Sequence, residues 1–226
     1  MTPQFRAAVT AYGPRFMADL GLDKLETAGI FGNLAVESDQ FRALQEYKPV
    51  VSGSRGGWGW PQWTGPRRRQ FEAWAAAKHF KLDDPEAFYQ YMLVELRGPE
   101  AVALGKLRAT TTLDRATEAF MLGYERPGTP HLDRRKAFAL EALHVLEAAL
   151  AERANLNRAL DLPPPVVPVK VVPVAVPTPP KGGPTETPPA PRAGTVVITT
   201  PPAPKPGWLA GILQNLRTNL PPKREG

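Results

Sequence analysis

Apolar residues recur at helical spacing in the stretch "LDKLETAGIFGNLAVES", residues 22–38. Leu25, Ile30, Phe31 and Leu34 can form one buried face of such a helix. Asp23 precedes Glu26 by three residues, which is the pattern of a capping box at a helix N-terminus. The pattern therefore predicts a helix that begins after Asp23 and ends near Glu37.

Similar patterns predict helices over much of the chain up to residue 160. Thr64, followed by Gly65 and Pro66, is a helix start because proline is favoured in the first turn. The predicted helical stretches are "TGPRRRQFEAWAAAKH", "DDPEAFYQYMLVELR", "TTLDRATEAFMLGY" and "HLDRRKAFALEALHVLEAALAERANL". The turn "ERPGTP" separates the last two.

Residues 50–63, "VVSGSRGGWGWPQW", interrupt the helical pattern. Four glycines in this stretch favour a short hairpin or an irregular loop. The predicted fold is mainly α, with an α+β organisation in which one small β-hairpin or loop lobe lies just after Glu37.

Proline marks the end of the predicted domain, which covers residues 1–160. Of 27 prolines, 16 lie between Pro163 and Pro206, so residues 161–206 are predicted to be a disordered, extended linker. In residues 207–220, "GWLAGILQNLRTNL", apolar residues return at helical spacing. This short amphipathic helix could lie on a membrane surface or dock on a partner protein, and a frayed tail is the alternative.

Charge is distributed unevenly between these parts. The chain has a net charge of +6; residues 1–162 hold 21 Lys/Arg and 20 Asp/Glu, and residues 163–226 hold 7 and 2. A basic tail suits an anionic partner such as a cell wall or a membrane, or serves only solubility. No nucleic-acid partner is expected. The N-terminus has no long apolar run, so synthesis in the cytoplasm without a signal peptide is expected.

Metal and cofactor chemistry is not expected. The chain has no cysteine, which excludes disulfides and thiolate metal sites. Its three histidines, His79, His131 and His144, lie far apart and have no metal-ligand spacing. No phosphate-binding loop and no Gly-x-Ser-x-Gly turn is present.

Glu37 is the main candidate for chemistry. It follows the apolar run "GIFGNLAV", at the predicted C-terminal end of a helix. There the helix dipole and partial burial both disfavour a negative charge, so we expect the pKa of Glu37 to be raised. A raised pKa suits a general acid that works near neutral pH. The alternative is an ordinary solvated glutamate at a helix end.

A second candidate feature is the crowding of Trp58, Trp60 and Trp63 into six residues. Indole rings stack on sugars, glycines allow a ligand to approach the backbone, and the Gln62 amide could bind a sugar substituent. Packing of the core is the competing explanation. It accounts for one tryptophan better than for three, because Trp58 and Trp60 would share one face of a strand.

Three blocks of sequence resemble the phage tail-type lysozyme family: "AGIFGNLAVESDQF", "GWGWPQWTGPRRRQFEAWA" and "AFMLGYERPGTPHLDRRKAF". Their order also matches, over roughly residues 15–145. The chain is similar as well to the wider lysozyme and lytic transglycosylase superfamily, in which a Glu-Ser pair and a Gly-Leu-Met-Gln turn line the sugar cleft. Here these positions are Glu37–Ser38 and Gly59–Trp60–Pro61–Gln62, and Trp60–Pro61 departs from the pattern.

The resemblance implies a phage muramidase that cleaves bacterial peptidoglycan between N-acetylmuramic acid and N-acetylglucosamine. Glu37 would be the general acid. Glu46 would be the second carboxylate, or less favourably Asp39. A lytic transglycosylase would need Glu37 alone. Ser38, Trp58, Trp60, Gln62, Trp63 and Tyr124 would contact the substrate.

The resemblance also leaves several roles open. The protein could be an endolysin that reaches the wall (periplasm) at host lysis, or a virion tail component that penetrates it. In either role, residues 207–220 could meet a membrane surface or another phage protein. Two other classes compete: a non-catalytic peptidoglycan-binding module, and a structural virion protein whose function resides in residues 163–226.

Overall fold

A computed structural model describes residues 1–46, 49 and 53–160 of the chain. The predicted linker, residues 161–206, and the predicted amphipathic helix, residues 207–220, lie outside the described residues. The boundary that the sequence predicts at residue 160 therefore stays a prediction.

The described part of the chain is mainly helical, as predicted. Its helices are α1 (Pro3–Leu20), α2 (Lys24–Glu37), α3 (Gly65–Ala77), α4 (Pro85–Arg97), α5 (Ala101–Arg108), α6 (Leu113–Phe120) and α7 (Leu132–Ala159). A single π-helical turn, Met121–Glu125, follows α6 directly. The described residues between α2 and α3 form a loop lobe. In its described residues the only β pairing consists of isolated bridges, from Trp58 to Gln45 and to Trp63.

Helix α2 is the centre of the domain, because α1, α6 and α7 all pack against it. The capping box predicted at its start is present: the Asp23 carboxylate accepts from the Glu26 N–H, and the Glu26 carboxylate accepts from the Asp23 N–H, both at 2.9 Å. Every residue from Glu26 to Ala35 is buried. The helix is thus buried on all faces, whereas the sequence predicted a single buried face.

Glycines allow the neighbouring helices to approach α2 closely. A Cβ atom added to Gly32 would lie 2.5 Å from the Arg135 carbonyl oxygen of α7. One added to Gly29 would lie 2.9 Å from the Thr117 nitrogen of α6. Because real Cβ atoms are never so close to a backbone, both positions require glycine. These contacts place the first turn of α7 and the end of α6 beside the C-terminal half of α2.

Helix α1 was not predicted as a separate element. Thr2 caps it, since its hydroxyl accepts from the Phe5 N–H at 3.1 Å, and Pro3 occupies the first turn. Pro14 lies inside the helix, where it removes one backbone hydrogen bond. Burial of Phe5, Val9 and Phe16 compensates for that loss.

In the described ranges, no helix combines the length and the apolar character that crossing a membrane requires.

Candidate functional site

Glu37 is the last residue of α2, and its side chain is 21 % exposed. Its Oε1 accepts a hydrogen bond of 2.6 Å from Nη2 of Arg135, in the first turn of α7. The Arg135 side chain is only 1 % exposed. A partly exposed carboxylate is therefore held by a buried guanidinium group. The prediction made from the end of the helix did not include this partner.

Asn33 orients that cation. It lies one helical turn before Glu37, and its Oδ1 accepts from Arg135 Nη1 at 3.1 Å. The Asn33 Nδ2 group donates to the carbonyls of Gly29 and Thr117 at 2.8 and 2.9 Å. The Arg135 Nε donates to the Pro130 carbonyl at 2.7 Å. The bonds of Asn33 are buried and the bond from Arg135 to Pro130 is partly buried, so Glu37 is held in one position relative to α2, α6 and α7.

Ser38 ends α2 and is completely buried. Its hydroxyl donates to the Leu34 carbonyl at 2.7 Å and accepts from the Phe41 N–H at 3.0 Å. These bonds stabilise a turn in which Asp39, Gln40 and Phe41 all have positive φ, between 47° and 66°. Such a conformation costs about 1 kcal/mol per non-glycine residue. Ser38, predicted to contact substrate, serves here to hold the chain as it leaves Glu37.

A second carboxylate, Glu95 of α4, is the centre of a buried network that we call the Glu95 cluster. Arg67 binds it with two hydrogen bonds of 2.8 and 2.9 Å. Trp63 Nε1 and the Tyr124 hydroxyl donate to Glu95 Oε2 at 2.7 and 2.5 Å. Burial and the charge of Glu95 raise the pKa of the Tyr124 hydroxyl well above its usual range, so it stays a donor. The cluster fixes the loop lobe and the π-helical turn to α4.

Glu125 ends the π-helical turn, next to Tyr124. The turn arises because the Arg126 N–H donates to the Met121 carbonyl, five residues earlier, at 2.7 Å. Arg126 then adopts a left-handed conformation, with φ of 51°. The Glu125 Oε1 atom is buried and makes no hydrogen bond to the described residues. π-Helical turns and left-handed residues are frequent at functional sites.

The charges around Glu125 determine its protonation. Burial and the negative charge of Glu37 raise the pKa of the Glu125 carboxyl well above its usual range, and the positive charges of Arg67 and Arg135 only partly oppose them. The guanidinium next to Glu125 in the sequence is engaged elsewhere. Arg126 pairs with Glu100 at 2.7 Å.

The tryptophans of the loop lobe pack mostly inward. Trp60 is 3 % and Trp63 1 % exposed; Trp60 packs against Tyr12, and Trp63 stacks on Phe71 with ring centroids 4.7 Å apart. Trp58 is half-buried, and its Nε1 donates to the Leu82 carbonyl at 2.9 Å. In this conformation, Trp58 is the most exposed of the three indoles.

Gln62 and Tyr124 are also engaged within the protein. The Gln62 amide donates to the carbonyls of Leu44 and Gly59 at 3.2 and 2.8 Å, which closes the loop lobe. Tyr124 is completely buried in the Glu95 cluster. Their predicted contact with substrate stays a prediction, and the contacts observed are structural.

A groove of about 600 Å³ lies beside the loop lobe, between α1 and the start of α4. Its walls are mostly apolar and include Tyr12, Phe41, Trp60 and Phe88, with Arg42 at the rim. Neither Glu37 nor Arg135 lines it. The groove is thus separate from the polar site around Glu37, although the turn after α2 connects the two.

Glu46, the predicted second carboxylate, contacts the backbone of its own lobe. Its Oε2 accepts from the Gly57 N–H at 2.9 Å, and its N–H donates to the Gly57 carbonyl at 3.0 Å. Asp39, the less favoured candidate, forms an exposed ion pair with Arg42 at 2.7 Å. Between Glu37 and either residue, the described part of the chain contains no hydrogen bond.

We expect Glu46→Gln to reduce the peptidoglycan-degrading activity that the family resemblance implies by less than about tenfold, because loss of a general base costs about a hundredfold or more. The glutamine oxygen can still accept from the Gly57 N–H. The measurement is the initial rate of fragment release from purified peptidoglycan. A loss as large as that of a Glu37 variant would instead make Glu46 a partner in the reaction.

Comparison with known proteins identifies the class and then the family. A helical domain with a fixed, partly open glutamate at the end of its central helix is the arrangement expected of a lysozyme-like protein. The model of the family described as phage tail lysozyme matches residues 9–146. The chain therefore belongs to the phage tail lysozyme family, as the three sequence blocks predicted. No curated protein matches the chain. Family membership supports a lysozyme-like, peptidoglycan-degrading function.

Three residues of the site were missed by the sequence argument: Asn33, Glu125 and Arg135. Asn33 had a signal, since an amide inside the apolar run "GIFGNLAV" must find partners when buried. Glu125 follows the apolar stretch "FMLGY" directly. No signal in the sequence pointed to Arg135, because "DRRKAF" resembles the charged face of any amphipathic helix.

Proposed function

We propose that this protein is a muramidase that cleaves the glycan strands of peptidoglycan between N-acetylmuramic acid and N-acetylglucosamine, with Glu37 as the general acid. One observation carries the proposal: Glu37 is held at the exposed end of the buried helix α2 by a hydrogen bond from the buried Arg135. A group that only had to keep the protein soluble would not need a buried, fully bonded partner.

The surrounding charges suit protonation of a glycosidic oxygen. Glu37 is open on one side, where a sugar can approach, and closed on the other by Arg135. When the acid gives up its proton, the guanidinium is already in place to stabilise the carboxylate that forms. No rearrangement of Arg135 is needed, because Asn33 and the Pro130 carbonyl hold it.

The proposal is tested by incubating the purified full-length protein with peptidoglycan sacculi and analysing the soluble products by mass. We expect fragments with N-acetylmuramic acid at a reducing end. Anhydro-muramic ends would instead identify a lytic transglycosylase, which uses Glu37 without a second carboxylate. Binding to sacculi without any released fragment would contradict the enzymatic proposal and favour a binding module.

The role in infection is a separate part of the proposal. Family membership suggests action at the cell wall or in the virion tail. An endolysin acts from within the host at lysis, whereas a tail component acts from outside at entry. Immunodetection in purified particles distinguishes them: a tail component is present in each virion, and an endolysin is found only in the lysate.

A further inference from the structure

We propose that Glu125 is the second carboxyl group of the reaction site and acts through Glu37 as a proton partner. The inference rests on the proposed function of Glu37 as general acid. We call Glu37 and Glu125 the carboxyl pair. Glu125 is a positioning residue in this scheme, since its Oε1 is buried and only Glu37 is assigned contact with substrate.

The charged groups at the site leave Glu125 without a guanidinium partner of its own. Three carboxyl groups, those of Glu37, Glu95 and Glu125, face two guanidinium groups. Arg67 is committed to Glu95 by two hydrogen bonds, and Arg135 is committed to Glu37 by one of 2.6 Å. Glu125 is the carboxyl group left over. A carboxylate with one buried oxygen and no committed partner is costly, and such groups take up a proton instead.

The backbone around Glu125 departs from regular helix geometry. Glu125 reaches its position only because the helix widens into a π-helical turn and Arg126 then takes a left-handed conformation. Each of these departures costs free energy that an ordinary helix end would not. They bring a carboxyl group to the base of the site, where the charge of Glu37 acts on it.

Groups from each neighbouring element set the charge of the pair. They are Arg67 from α3, Glu95 from α4 and Arg135 from α7, in addition to Glu37 from α2. Arg126 also interacts with Glu125, and its charge is balanced by its ion pair with Glu100. With one proton on the pair, the negative charges of the pair and Glu95 equal the positive charges of the two arginines. Loss of that proton would leave one uncompensated negative charge in a partly buried site, so the pair holds a proton more tightly than an isolated carboxyl group does.

In the reaction, the carboxyl pair gives up one proton and receives one back. One proton leaves the pair through Glu37 for the glycosidic oxygen, and the anomeric C–O bond breaks with its electrons going to the departing oxygen. One water molecule adds its hydroxyl group to the anomeric carbon and returns a proton to the pair. Arg67 and Arg135 compensate the charge while the proton is absent.

The test is the pH profile of fragment release from peptidoglycan by the full-length protein and by Glu125→Gln. With the pair intact, activity declines only when the pair loses its last proton. The variant removes the Glu125 carboxyl group, and with it the like charge that holds a proton in the pair. We therefore expect the alkaline limb to move toward acid pH by about one unit or more, a loss of about tenfold at the original limb.

The matched control is Glu118→Gln, seven residues earlier on α6, which should leave the limb unmoved. An unmoved limb in a folded Glu125→Gln variant would overturn the proposal. So would an equal loss of activity at every pH, since that is the result of a purely structural role.

A second measurement needs no variant and no activity. In protein carrying ¹³C-labelled glutamate carboxyl groups, NMR titration should find one side-chain carboxyl that keeps its proton to higher pH than the others. If all glutamates titrate in the ordinary range, the carboxyl pair does not exist. Absence of wall degradation by the wild type would refute the proposed function only, because this titration is independent of it.

Discussion

Glu37→Gln should lower the rate of fragment release from peptidoglycan by about a hundredfold or more, the range that a general acid contributes. The amide has no acidic proton to give to the glycosidic oxygen. Its oxygen can still accept the hydrogen bond from Arg135, which the carboxylate accepts at 2.6 Å. The fold should therefore survive, and binding to sacculi should be retained. Initial rates at equal protein concentration, with circular dichroism of both proteins, measure the effect.

Asp39→Asn is the matched control for this prediction. Asp39 lies two residues further on and loses one charge in the same way. Its side chain is 47 % exposed and pairs with Arg42, itself an exposed residue. Exposed pairs contribute about 0–1 kcal/mol, so stability and activity should change little. Equal turnover by wild type and Glu37→Gln would remove Glu37 from the mechanism.

The second large effect is expected at Gly32. In Gly32→Ala, the new methyl group would lie 2.5 Å from the Arg135 carbonyl oxygen and 2.7 Å from the Ala139 backbone nitrogen. Backbone cannot move aside as a flexible side chain can, so α7 must shift away from α2. Overpacking of this kind costs about 1–3 kcal/mol, and we expect about 3 kcal/mol here because two helices separate. Urea unfolding measures the loss.

Activity should fall in Gly32→Ala as well, since the shift of α7 moves Arg135 away from Glu37. Gly105→Ala in α5 is the control, because nothing lies within 4 Å of its added methyl group. Alanine is the better helix former, so this variant should gain about 0.5–1 kcal/mol in stability. Equal stability of Gly32→Ala and wild type would show that α2 and α7 are not in tight contact.

The fold could be predicted wherever local signals were strong. The capping box at Asp23 and the proline at the start of α3 marked helix starts that the structure contains. Helix α1 was missed because Gly13 and Pro14 interrupt its pattern, and only tertiary burial of Phe5, Val9 and Phe16 makes it continuous. Local sequence does not contain that information.

The candidate site was predictable in its position but not in its partners. A helix end at Glu37 follows from periodicity. The arginine that binds Glu37 comes 98 residues later, and no local rule connects them. The same limit applies to the tryptophans. Their spacing in the sequence suggested indole rings exposed to a ligand, whereas Trp63 is buried and donates a hydrogen bond to Glu95, 32 residues later in the chain. Long-range pairing of buried polar groups was the missing information.

Glu37 and Arg135 are 98 residues apart in the sequence, and this separation has a consequence for the synthesis of the protein. A nascent chain that ends before residue 132 contains Glu37 and the apolar surface of α2, but it has no α7 to cover that surface. Helix α7 can dock on α2 only after it has been synthesised, so this contact is among the last that the growing chain can form. A truncated or unfinished chain would thus have neither a stable core nor an assembled carboxyl site. On this view the cell that makes the protein holds an inert polypeptide until translation of the domain is complete.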